Sequence, residues 1–167
     1  ELGDVNAAEK HLRGSLAFAR TLVEQNPDNR ELHRDVSVGL FRLADLLVTR
    51  GETDDATRLC EESIQMCWKL TEWDPTNVQW RHHLATARIS MGDVRLSRDD
   101  LTRARGDYEF ATGTMGALAA FEAEDREGAR HHARSEKKLG DFLCRTTDYE
   151  EATAAYARAL AAMNTAC

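Results

Sequence analysis

The chain has 167 residues, of which 42% are hydrophobic and 31% charged, and a formal net charge of −7 at pH 7. That balance is ordinary for a helical globular protein, and the acidic excess argues against nucleic acid, whose binders carry a basic stripe. No apolar run approaches the ~20 residues that a membrane helix needs, and the start shows no signal-peptide pattern, so we expect a cytoplasmic protein with no membrane partner. The first residue is Glu1 rather than Met, and we expect a fragment of a longer protein.

Taken in order, residues 3 to 25 read as a helix with Ala8, Leu12, Leu16, Ala19 and Leu22 on one stripe. Asn26-Pro27-Asp28-Asn29 breaks it, and Asn29 is placed to cap the next helix, 30 to 50, whose inward face is Leu32, Val36, Leu40, Leu43 and Leu47. Gly51 suits a left-handed cap. Thr53 or Asp54 is expected to cap a helix that runs to about Trp73, with Ala56, Leu59, Cys60, Ile64, Cys67 and Leu70 inward, and Asp74-Pro75 stops it. A helix over 77 to 98 opens with Trp80 and Leu84 and ends at Ser97-Arg98-Asp99-Asp100 without a glycine. The next, from Leu101 to about Glu122, contains Gly106, Gly113 and Gly116, each costing up to ~1 kcal/mol against alanine. It should be the most mobile or bent element. A helix over 125 to 145 is polar at its start, and Thr147-Asp148 caps a last helix ending near Met163. The pattern is all-α, with about seven helices.

Special residues recur at one offset, 48. Ala8, Ala56, Ala104 and Ala152 fall in one column, followed four positions on by Leu12, Cys60, Tyr108 and Tyr156, and three beyond those by Ser15, Ser63, Ala111 and Ala159. Earlier in the unit stand Ala44, Gly92 and Gly140, each followed by an aspartate: Asp45, Asp93, Asp141. Small residues at a fixed place let a neighbouring helix approach closely, and the larger residue one turn later fills the gap.

A small residue, an alanine twelve positions on, an apolar or aromatic residue four further and a small one three beyond resembles the tetratricopeptide repeat. The best copy is Leu43, Ala44, Ala56, Cys60 and Ser63, and the last is Leu139, Gly140, Ala152, Tyr156 and Ala159. The 48-residue unit departs from the family's ~34 and matches its long-helix bacterial branch. The resemblance implies a right-handed α-solenoid of antiparallel helix pairs filling one domain, 1-167. Its parts would be an orphan second helix (1-26) and repeats at 27-74, 75-122 and 123-167.

The resemblance further implies that the first helix of each pair lines a concave groove. The candidate partner-binding residues are then Val38, Phe41, Asp45 and Val48; Thr86, Ile89, Asp93 and Leu96; and Arg134, Lys137, Asp141 and Cys144. Such a groove would be apolar and acidic at one end and basic towards Arg134, Lys137 and Lys138. It would suit a peptide or helix of a partner protein with apolar and basic residues. Val38, Phe41 and Ile89 fit equally well as packing between neighbouring first helices. The aspartates fit as solvated or locally bonded positions. The family's grip on a C-terminal carboxylate uses lysine and asparagine, and Phe41 and Asp45 in their place imply that this mode is absent.

The remaining residues point to no chemistry. Cys60 and Cys67 share an inward face as small buried hydrophobes, and Cys144 and Cys167 have no visible partner, which fits a reducing setting. His82-His83 and His131-His132 invite a metal, since His83 and His131 are 48 apart. Yet two histidines without a further ligand motif make a weak site, and exposed polar histidines are expected. Arg126, Arg130, Arg134, Lys137 and Lys138, interrupted by Glu127 and Glu136, read as a solvated face. No nucleophile elbow, phosphate loop or dinucleotide fingerprint is present, so we expect no enzyme, cofactor or metal. The function expected is a protein-interaction scaffold. The alternative is a structural or self-associating array, or an intramolecular regulatory arm of a multidomain signalling protein. In that case the last pair, with Phe142, Leu143, Tyr149, Tyr156, Leu160 and Met163, would lack a covering repeat.

Overall fold

The computed structural model describes the backbone of residues 2–121 and 125–165, and side chains within that span from Val5 onward. The expected C-terminal cysteine, Cys167, and the end of the fifth helix at Glu122 lie outside the described residues. Seven helices run in order: α1 (Leu2–Gln25), α2 (Arg30–Thr49), α3 (Thr53–Trp73), α4 (Val78–Ser97), α5 (Leu101–Phe121), α6 (Arg126–Arg145) and α7 (Tyr149–Thr165). Each packs on its chain neighbours. In addition α2 touches α4 and α4 touches α6, so these three helices form one layer. The odd-numbered helices cover that layer from the other side.

The breaks between helices repeat at atomic detail. Asn29, Asn77 and Asp125, spaced by 48, hold extended backbone at the N-termini of α2, α4 and α6 and accept from amides of the first turn. At the opposite ends, Gly51, Asp99 and Thr147 take left-handed φ values of 79°, 61° and 68°. The amide three residues beyond each helix's last residue donates back across the turn: Glu52 to Leu47, Asp100 to Arg95 and Asp148 to Leu143. Glycine carries this conformation without strain and aspartate tolerates it, whereas β-branched threonine does not. One cap differs from expectation. Neither Thr53 nor Asp54 caps α3: Glu52 does, without a side-chain bond, and Thr53 is already helical. The chain turns so tightly after Gly51 that the helix starts one residue early.

The small and large columns meet as pairs. A Cβ on Gly92 would lie 2.8 Å from Cε1 of Tyr108, and one on Gly140 would lie 2.8 Å from Cε1 of Tyr156. The first unit has the complementary solution, with Ala44 and Cys60 both fully buried. A main apolar cluster runs from Leu16 through Leu40, Leu47, Cys60 and Cys67 to Met91 and Val94. A second joins Tyr108 to Leu139, Phe142 and Leu143. Burial pushes the Cys60 and Cys67 thiols up from their ordinary range, so both behave as small apolar groups.

Two further places differ from the sequence reading. Phe142 and Leu143 are buried, so among the described residues the exposed large apolar side chains of the last pair are Tyr149, Tyr156, Leu160 and Met163. Glu136 is not on a solvated face but 4% exposed, held by the Arg158 guanidinium at 2.8 and 2.9 Å. α5 runs unbroken through its three glycines.

Candidate functional site

Along one side, α2, α4 and α6 enclose a groove of about 1130 Å³, closed beneath by Met115 and Leu118 of α5. Helical spacing of 3 and 4 residues brings one stripe of each helix to its wall. From α2 come Val38, Phe41, Arg42, Asp45 and Val48, and from α4 come Thr86, Ile89, Asp93 and Leu96. α6 contributes His131, Arg134 and Lys138. Of the candidate residues, Lys137, Asp141 and Cys144 are not among the lining ones. Lys137 and Asp141 bond to each other at 2.7 Å, and Tyr156 donates to Asp141 at 2.9 Å and to Cys144 at 3.7 Å. Phe41 shows only its edge: it is 7% exposed and belongs to the apolar core, and Val38 packs on the same core. Packing and lining are therefore the two sides of the same residues.

The aspartate column has two roles. Asp93 accepts from the Tyr108 hydroxyl at 2.7 Å and from the Lys138 ammonium at 2.7 and 3.0 Å. Asp141 is likewise held by Tyr156 and Lys137. Asp45 has neither partner, because Cys60 stands where the later units have tyrosine and Ser90 where the last has Lys138. Asp45 keeps solvent exposure, yet the groove walls crowd it and raise its carboxyl above the usual range. The Asp93 charge adds to that rise, and Ser90, Lys138 and Arg134 oppose it.

The histidines are not the exposed polar residues expected. His82, His83 and His131 are part-buried and line one edge of the groove. The His82 and His131 ring centroids are 3.9 Å apart, and those of His82 and His83 are 5.9 Å apart. His82 Nε2 and His83 Nδ1 are buried without a hydrogen-bond partner. Burial pushes both imidazoles down to about 4, aided for His82 by its histidine neighbours and for His83 by Arg34 and Arg42. His132 points elsewhere, towards Glu136 and Gly116. Among the described residues no three histidine, cysteine or carboxylate side chains converge as metal ligands.

The groove's charge is less polarised than the sequence reading held. Arg42 stands at the end expected to be acidic, and Asp125 and Glu127 at the end expected to be basic. Asp125 is occupied by the amides it caps, and Glu127 lies 3.5 Å from His131. Among the described residues no ion pair involves Arg42, Arg134 or Arg145, so the charges without a charged partner are three arginines, Asp45 and Glu127. Sequence reasoning missed Arg42, which falls between two apolar groove positions. It also missed the buried carboxylate Asp107, 1% exposed and gripped by Arg88 at 3.0 Å and by Arg95. The available signal was Asp107 in the column of Leu59 and Ala155.

No family model matches the chain, and no curated protein matches it in sequence. Among solved structures it is similar to the crystal structure of BtubC (BKLC) from P. vanneervenii, with a TM-score of 0.68 at 18% identity over 95% of this chain. The chain spans 56% of that protein's length. The crystal structure of MamA aligns over 98% of this chain at 16% identity, but with a TM-score of 0.32 it carries no argument. At such identities likeness extends to the backbone and not to the site. The internal 48-residue geometry and the BtubC likeness together show an all-α helical-repeat fold.

Proposed function

We propose that the chain is a protein-interaction module of tetratricopeptide type, which holds a peptide or helix of a partner protein in the groove between α2, α4 and α6. The observation that supports this most is the groove itself. Its floor and walls offer Val38, Ile89, Met115 and Leu118 to an apolar ligand face, and uncommitted arginines stand around them. Three helices of one rigid layer supply the walls, so little ordering is required on binding. A photo-crosslinking residue at Thr86, in the middle of the groove, should capture a partner from a lysate of the source cells. The same residue at the exposed Glu61 of α3 should not. Equal capture from both positions would remove the groove reading.

A second reading rests on the exposed Tyr149, Leu160 and Met163 of α7, 64%, 64% and 45% exposed. A face of this kind pairs copies of the chain or meets a neighbouring domain. Light scattering over a concentration series decides it: a mass that stays that of a monomer rules out pairing of copies.

A further inference from the structure

We propose that the edge of the groove formed by Arg42, His82, His83 and His131 receives a side-chain carboxylate of the partner, so that the segment bound is acidic as well as apolar, and that binding takes up a proton. The proposal rests on the groove being the binding surface and adds the chemistry of its ligand.

Two features on different helices converge there. The first is charge. Arg42 and Arg34 of α2 both act on His83 of α4, and Arg42 has no ion-pair partner among the described residues. The opposing charges nearby are already committed or face solvent. Asp35 bonds to Arg34 and Asp125 caps α6, while Glu127, 3.5 Å from His131, is turned to solvent with its side chain 81% exposed. The second feature is unmet hydrogen bonding. His82 Nε2 and His83 Nδ1 are buried with no partner, and a buried nitrogen without one is costly unless a ligand or water supplies it. A carboxylate accepts from several donors at once, and the Arg42 guanidinium near the His83 imidazole offers that combination.

A basic partner would find little here. Asp93 and Asp141, which would have attracted it, are held within the fold by Tyr108, Lys138, Tyr156 and Lys137. Asp45 and Glu127 remain, and Arg134 lies within the field of Asp45 while Glu127 faces solvent. Along the groove, Arg134 and Arg145 continue the positive edge. The ligand with matching chemistry is a segment with acidic residues spaced along one side and apolar residues on the other.

The proton linkage follows from the same geometry. In the free protein His82 and His83 are neutral, because burial, joined at His83 by Arg34 and Arg42, disfavours the charged form. A docked carboxylate reverses that field and provides the partner that an imidazolium needs. The bound state therefore holds a proton that the free state does not, and affinity rises as pH falls from neutral towards about 5, above the range where the ligand's own carboxylate titrates.

The test is selection from a phage-displayed library of short random peptides, followed by titration of one enriched peptide into wild type and variants. The expected result is enrichment of Asp and Glu among apolar residues. Arg42→Gln should weaken binding about tenfold at every pH, as loss of one charge-assisted contact does. His83→Gln should leave binding at neutral pH nearly intact but flatten its pH dependence, and calorimetry in buffers of different ionisation heat should show proton uptake by wild type and Arg42→Gln and a smaller uptake by His83→Gln. Arg42→Gln, at an exposed position, and a Thr86→Trp variant, which fills the groove, should melt as wild type does, and His83→Gln should do so above about pH 6.5, where the ring is neutral in both folded and unfolded chains. Enrichment of basic or uncharged peptides that Thr86→Trp still blocks would overturn the acidic ligand and leave the groove standing. Acidic peptides indifferent to Arg42→Gln and to pH would overturn it too. Peptides indifferent to Thr86→Trp, or no enrichment at all, would overturn both.

Discussion

Gly92 and Tyr108 are fitted to each other: a Cβ on the glycine would lie 2.8 Å from the tyrosine Cε1, and the same ring's hydroxyl donates to Asp93, the residue after the glycine. Gly140, Tyr156 and Asp141 repeat the arrangement one unit later. The two copies differ in freedom. Tyr108 is 1% exposed and packs on Phe142 with ring centroids 5.4 Å apart, whereas Tyr156 is 37% exposed and can move. Gly92→Ala should therefore cost about 1–3 kcal/mol, the usual range for overpacking, and Gly140→Ala distinctly less. The first unit predicts the remedy. Gly92→Ala with Tyr108→Cys recreates Ala44 beside Cys60, so the two substitutions together should cost less than the sum of the single ones. Chemical denaturation of the four proteins in a double-mutant cycle measures this, and strict additivity would contradict the pairing.

Thr147 occupies the left-handed position that Gly51 and Asp99 fill in the earlier units. A β-branched residue is strained there, and glycine removes the strain while losing some unfolded-state restriction. Thr147→Gly should raise stability by about 1 kcal/mol and the melting temperature by a few degrees. A lower melting temperature would mean that the Thr147 side chain is worth more than its backbone costs.

Asp107 replaces the leucine that the first unit has at Leu59, and Arg88 stands where that unit has Leu40. Leu40 and Leu59 belong to one apolar cluster. Burial raises the Asp107 carboxyl, with Arg88 and Arg95 opposing the rise, so the two arginines do not fully offset the cost of removing this charge from water. Asp107→Leu alone strands both guanidinium groups and should lose about 2–4 kcal/mol, moderated by their access to solvent. Adding Arg88→Leu should restore much of the loss. Thermal melts of the single and double variants check it.

The imidazoles of His82 and His83 also make stability depend on pH. Their folded values lie near 4, below the ordinary 6.5, so between those limits the unfolded chain binds protons that the folded chain does not. Stability from this source is complete above about pH 6.5 and is lost as pH falls towards 4. The groups that set it are the two rings themselves with His131, Asp125, Asp35, Arg34 and Arg42. The expected loss is on the order of a few kcal/mol for the cluster, because the rings share one field and their effects do not add. His82→Gln with His83→Gln should flatten the pH dependence over that window in denaturant titrations. An unchanged slope would show that both rings reach water in solution.

The fold was legible because its signals are local or periodic. Apolar stripes, Asn29 and Asn77 before helices, Gly51 after one and the 48-residue columns each have one physical meaning, and the structure places all seven helices as expected. The groove's wall was legible for α2 and α4 for the same reason. It failed on α6, where Lys137 and Asp141 satisfy one another and Tyr156 instead of facing the groove. Periodicity gives a residue's face but not its partner, and partners decided the aspartates. Asp45 and Asp93 share a column, and only the absence of a tyrosine and a lysine leaves one of them uncommitted. The histidines were misread as exposed because a polar residue near a helix start ordinarily faces water. Here two of those helix starts lie against each other, which brings His82 and His131 into contact.

The most direct test of the groove is a binding titration of one display-selected peptide into wild type and Thr86→Trp. The indole would occupy the middle of the groove while leaving the buried face of α4 untouched, so both proteins should melt alike. The groove account predicts a loss of affinity of at least about tenfold, the equivalent of 1.4 kcal/mol. An unchanged affinity in a variant of unchanged stability would contradict it and place binding on another surface of the molecule.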